Sequence, residues 1–262
     1  MHRSRTALTV AMLAVLALAG CTATSQPTPT SRTTAAPTGS ATAPPVDDTT
    51  ASAVPTPSST SAGCSPNKAT RPADARSAID GDLDGDGRDD RVFYSPGGGL
   101  FGIATASGAV LTVHDPLAGP GRHTGWAAPI AGGAVVMVLA DGRGADLYSL
   151  QRTGAECTIG TVSNAQGDQY RFDQEELRGH GTGVGCRPQD GVLQLGGYDA
   201  RTAGANRFRV TFTRVTVSPD GRTATNGRTT VVAPSAPGTS ATVRIARSST
   251  CASGPIVGSS GH

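Results

Sequence analysis

The sequence predicts an all-β domain, and three observations carry that expectation. Helical periodicity is scarce after Cys64, where short β-favouring runs recur between Gly, Asp-Gly and Pro turns. The chain holds 35 glycines, and each one inside a helix costs about 1 kcal/mol relative to alanine. Residues 207–217 read Arg-Phe-Arg-Val-Thr-Phe-Thr-Arg-Val-Thr-Val, which largely alternates apolar with Arg or Thr. That period of two is the mark of a strand with one face buried and one wet.

In chain order, strands are expected at 91–95, 100–105, 110–114, 134–140, 146–151, 157–162, 192–195, 208–217 and 229–233. Ser218-Pro219-Asp220-Gly221-Arg222 then has the composition of a tight turn and predicts a hairpin after the 208–217 strand. One or two helical turns are expected only at 169–177, around Asp173, Gln174, Glu175 and Glu176. The run Thr242-Val243-Arg244-Ile245 reads as β.

Upstream of this domain the composition changes twice. Arg3 and Arg5 precede an uncharged apolar run from Ala7 to Ala19, and Leu18-Ala19-Gly20-Cys21 closes it. About 13 apolar residues span only ~20 Å as a helix, short of a bilayer's ~30 Å hydrocarbon core. The Leu-Ala-Gly-Cys sequence resembles the lipobox of bacterial lipoproteins. That resemblance implies a signal peptide over 1–20, lipidation of Cys21 and a place on the outer face of the cell membrane, with the lipid anchor as the membrane contact. From 22 to about 62 the chain is Thr, Ser, Pro and Ala, charged only at Arg32, Asp47 and Asp48. Such a segment buries too little apolar surface to offset its ordering entropy, so 21–63 is expected to be the lipidated cysteine and a disordered tether. Residues 64–262 remain for the all-β domain.

Charge excludes one class of partner. The net charge of +2 falls to near neutral once Arg3 and Arg5 leave with the signal, and no basic run stands out, which argues against nucleic acid. Lysine occurs once, at Lys68, and the Arg, Ala, Gly and Thr bias resembles that of high-GC actinobacterial genomes. Four cysteines follow Cys21, an even number in a chain expected to leave the cytoplasm. Of three pairings, the favoured one joins Cys157 to Cys186 across a Gly-rich excursion and Cys64 to Cys251 at the domain ends. No Cys-x-x-Cys pair or nearby histidine has zinc spacing.

Residues 80–90 read Asp-Gly-Asp-Leu-Asp-Gly-Asp-Gly-Arg-Asp-Asp. Asp82, Asp84 and Asp86 stand at alternate positions, Gly87 relaxes the backbone, Arg88 offers a carbonyl and Asp90 closes the set. Carboxylates so spaced around a tight turn can point at one hard cation, and calcium prefers an all-oxygen shell. An EF-hand needs a glutamate at the twelfth loop position, where Phe93 stands before a strand-like run. The loop resembles that of FG-GAP/VCBS repeats over roughly 79–105. The resemblance implies calcium ligands at Asp82, Asp84, Asp86, Arg88 (through its carbonyl) and Asp90. Asp141-Gly142-Arg143-Gly144-Ala145-Asp146 has the rhythm of a degenerate copy. One good loop cannot make a full seven-bladed propeller, so a short divergent FG-GAP-like repeat domain or a compact β-sandwich is expected.

No catalytic set is expected. His180-Gly181-Thr182-Gly183 and Gly238-Thr239-Ser240-Ala241 are similar to the histidine and serine motifs of subtilisin-like proteases, but the surroundings do not suit that fold. His114 and His123 flank a Pro/Gly-rich loop and are expected to be solvated. Trp126, Tyr148, Tyr170 and Tyr198 could line a carbohydrate surface, with core packing as the default. The resulting expectation is a non-enzymatic, calcium-stabilised surface module that binds an extracellular protein or glycan. The competing expectation is a cell-envelope hydrolase using acidic residues such as Asp173 and Glu175.

Overall fold

The structure is a computed structural model that describes residues 63–115, 122–177, 179–252 and 254–259. The expected signal peptide, Cys21 and the tether to residue 62 lie outside the described residues. Strands dominate, and the only described helix has five residues.

Three sheets form. β1 (Arg76–Gly81), β2 (Asp90–Ser95), β3 (Leu100–Ala104) and β4 (Val110–His114) make a four-stranded antiparallel meander. β5 (Thr124–Pro129), β6 (Val135–Ala140), β7 (Gly144–Thr153) and β8 (Glu156–Thr161) make a second, in which β9 (Arg171–Asp173) also pairs with β7. The third follows the order β10 (Glu176–Leu177), β11 (His180–Gln189), β12 (Val192–Thr202), β13 (Arg207–Val217) and β14 (Ala224–Pro237). After α1 (Ala241–Ile245) the chain returns to both later sheets. β15 (Ser249–Cys251) lies parallel to β11, and β16 (Val257–Gly258) pairs with β5. Among the described residues no sheet closes into a barrel.

Packing follows from which strands are buried on two faces. Tyr94, Phe101 and Ile103 of the first sheet share a core with Met137 and Leu139 of β6. Val136, Val138 and Ala140 of the same strand turn the other way, towards Val184, Leu195 and Val215 of the third sheet. The second sheet is therefore the middle layer. A strand covered on both sides has no wet face, which is why 135–140 reads Val-Val-Met-Val-Leu-Ala without alternation. β13 lies farther out and alternates as its sequence predicts, with Phe208, Val210 and Phe212 packing on Val243 and Ala246 at α1. The Ser218–Arg222 hairpin is also present, with the Gly221 N–H donating to the Ser218 carbonyl at 2.8 Å.

Several expectations need correction. Residues 169–177 are not helical; they supply β9 and β10. Residues 242–245 are not a strand but belong to α1, where the Ser240 side chain accepts the Val243 N–H at the N-cap. The Gly-rich run from His180 is a ten-residue strand because its partners come unusually close: a Cβ at Gly183 would lie 2.5 Å from the Ser248 carbonyl, and one at Gly185 2.5 Å from that of Thr250.

The cysteine pairing also differs. The bonds are Cys64–Cys157 and Cys186–Cys251, with Cα separations of 5.5 and 4.5 Å. Cys186 and Cys251 are register partners of the parallel β11–β15 pair, a contact invisible until α1 has reversed the chain. Cys64 reaches Cys157 because Ser65 donates to the Ala155 carbonyl (2.8 Å), which lays the incoming segment on the β7–β8 turn. Domain ends and neighbours in sequence are poor guides when strands cross between sheets.

Candidate metal centre

The acidic loop joins β1 to β2, and its own carboxylates fold it. Asp82 accepts the N–H groups of Gly85 (2.6 Å), Asp86 (3.1 Å) and Gly87 (2.9 Å). Gly87 has φ of 83°, a left-handed conformation that glycine adopts without steric cost. Asp84 is fully buried. It accepts from the Cys64 N–H (2.9 Å), the Ser107 hydroxyl (2.5 Å) and the Asp86 N–H (3.2 Å). Its backbone carbonyl takes a hydrogen bond from the Arg152 guanidinium of β7. One aspartate thus ties the loop to the start of the folded chain, to the β3–β4 turn and to the middle sheet.

Asp82, Asp84 and Asp86 each bring one carboxylate oxygen to within 4.8 Å of the other two. Asp90 is placed differently. Also fully buried, it spends one oxygen on the N–H groups of Leu83 (2.8 Å) and Asp84 (2.9 Å) and the other on Ala106 (2.8 Å). It braces the loop from behind. Arg88 meets the cluster through its side chain, with Nη2 2.6 Å from Asp86 Oδ2, and that contact holds the Asp86 carboxyl below its usual range. Burial pushes the Asp90 carboxyl up, against the pull of its backbone hydrogen bonds. The donor chemistry fits a hard divalent cation: three close anionic oxygens, with the guanidinium of Arg88 on Asp86 and that of Arg152 on the Asp84 carbonyl as the neighbouring positive charges.

The possible second loop is not an equivalent of the first. Asp141–Arg143 turns from β6 into β7, which already holds Gly144–Asp146, whereas the acidic loop lies between the first two strands of its meander. Asp141 accepts the N–H groups of Arg143 (2.8 Å) and Gly144 (2.7 Å), and Asp146 pairs with Arg171 at 3.2 Å. In the second meander the corresponding turn reads Ile130-Ala131-Gly132-Gly133-Ala134 and carries no carboxylate.

Of the remaining candidates, Asp173, Glu175 and His180 are grouped near Asp199, and the others stand apart. His180 lies 3.2 Å from Asp199 and 3.8 Å from Glu175, while Ser240 caps α1. Asp173 lines a shallow cavity with Asp199. His123 is buried, not solvated as expected, and its Nδ1 lies 2.8 Å from Asp115. Trp126, Tyr148, Tyr170 and Tyr198 are core residues, and Trp126 donates to the Ser249 hydroxyl at 2.9 Å. Cys64, Ser107 and Arg152, which clamp Asp84, carry no local signal in the sequence, since each is far from the loop along the chain. The chain matches no protein-family model, no curated protein and no solved structure.

Proposed function

We propose that the protein is a lipid-anchored surface module of the cell envelope whose β-domain is stiffened by calcium and two disulfides. Its role in this reading is extracellular binding or adhesion. The observation that carries the reading is the convergence of Asp82, Asp84 and Asp86 within 4.8 Å on a loop that the rest of the fold clamps. These three would hold the ion, and Asp90 would hold the loop in shape. A place at the β1–β2 turn of a four-stranded meander supports kinship with FG-GAP/VCBS repeats in a short, divergent form.

Thermal melts test it. An ion that binds the folded state alone stabilises by ~2.7 kcal/mol at a hundredfold excess over its dissociation constant. Calcium is therefore expected to raise the melting temperature of the wild type over its value in EDTA. Asp84→Ala is expected to lose most of that increment. Equal wild-type melting temperatures in calcium and in EDTA would end the calcium reading.

A further inference from the structure

The outer face of the third sheet is covered at only one end. Val243 and Ala246 close the half floored by Phe208 and Val210. Beyond Phe212 the same face opens into a cavity of about 590 Å³. Three strands each supply it one arginine: Arg187 from β11, Arg214 from β13 and Arg228 from β14. Register explains the convergence. Arg187 stands opposite Gln194, Arg214 opposite Gly196, and Arg228 beside the slip in pairing between Thr213 and Val215. Gly196 lacks the side chain that would fill the centre, and a Cβ there would strike the Phe212 ring, which forms the floor.

The electrostatics are one-sided. No carboxylate lines the cavity, and none of the three arginines has an ion-pair partner among the described residues. Each guanidinium carries five N–H donors, more than the four lone-pair sites of one carboxylate can take up, and has no acceptor of its own. A phosphoryl group brings more terminal oxygens and nearly two negative charges near neutrality, and planar guanidinium forks match it bidentately. Gln194 adds a neutral donor at the wall.

We propose that this cavity is a binding site for a phosphoryl group, held by Arg187, Arg214 and Arg228. The site is separate from the acidic loop and does not depend on it. Calorimetric titration of the protein in EDTA with inorganic phosphate, glycerol 3-phosphate and acetate tests it. Saturable binding of a phosphate, with acetate much weaker, is expected. Arg214→Ala and Arg228→Ala should each weaken binding about tenfold or more while leaving the melting temperature near that of the wild type. Arg209→Ala, on the same strand but the opposite face, should leave binding unchanged. Tighter binding of the ester identifies an esterified ligand, and tighter binding of inorganic phosphate identifies the free ion. The proposal is overturned if neither phosphate binds saturably, if acetate binds as well, or if Arg209→Ala weakens binding as much as Arg214→Ala.

Discussion

Asp84 carries a structural duty beside any metal it holds, and this changes what its removal does. Considered as one of four crowded carboxylates, it is a source of repulsion whose loss should be neutral or mildly stabilising without calcium. Its burial and its bonds to Cys64, Ser107 and Asp86 reverse that sign. Leaving a buried donor unsatisfied costs ~1–3 kcal/mol, so Asp84→Ala should lower stability in EDTA by about 2 kcal/mol. Urea denaturation in chelator measures it, and an unchanged midpoint would return Asp84 to a purely electrostatic role. Asp80 presents a different residue-scale effect. Burial pushes its carboxyl from 3.8 up to about 7, and one of its oxygens is enclosed without a hydrogen-bond partner. The folded state then holds this proton more tightly than the unfolded chain, so stability falls as pH rises from about 4 to about 7. Asp80→Asn removes that slope. In EDTA the variant should gain on the wild type between about pH 4 and about pH 7, and a gap that stays constant would refute the assignment.

Among elements, strand pairs buried at close range leave the least freedom. Gly102 on β3 sits where a Cβ would fall on the Phe93 ring and the Leu111 carbonyl. Gly102→Ala should cost about 2 kcal/mol, because two packed strands must part to admit it; a melting temperature within a degree or so of the wild type would show that the sheet yields more easily. The Cys186–Cys251 bond closes a separation of 65 residues, for which the chain-entropy relation gives about 4 kcal/mol of stabilisation. A Cys186→Ser, Cys251→Ser double variant should be destabilised on that scale, and non-reducing peptide maps of the wild type should join Cys186 to Cys251 and Cys64 to Cys157. Recovery of a Cys157–Cys186 peptide would contradict the β11–β15 pairing. Strand identity was legible where one face is wet, as in β13, and where an apolar run is too short for a helix, as in β6. It was hidden in β11, whose glycines answer to a chain segment 65 residues away, and in β15 and β16, which are too short to show a period. Likewise the acidic loop is contiguous and could be read directly, while the arginine cavity is assembled by register across three strands and leaves no run of basic residues.

On the scale of the whole molecule, the layered stack makes the middle sheet dependent on both neighbours, so core damage in any layer should be felt by all. The proposed anchor belongs to this scale as well. Cys21→Ala should release the protein from the membrane fraction or leave an unprocessed precursor, and unchanged partitioning into a detergent phase would rule out lipidation at that position. In the same proposal, tension along a tether would enter the described fold at Gly63 and Cys64. There the Cys64 N–H rests on Asp84 and the Cys64 sulfur is bonded to Cys157, so the load reaches the acidic loop and the middle sheet together.

The return of the C-terminal segment bears on when the chain can fold at all. β15 joins the third sheet and β16 the second, and the Ser259 carbonyl takes a hydrogen bond from Arg76 on β1 across 183 positions. Vectorial synthesis delivers these residues after every other described strand, so seams in all three layers stay open until they are made. Contacts this distant in sequence are also slow to form. A nascent chain kept unlatched in this way stays threadable for longer, which suits the proposed export through a protein-conducting pore, and residues 249–259 act as the latch.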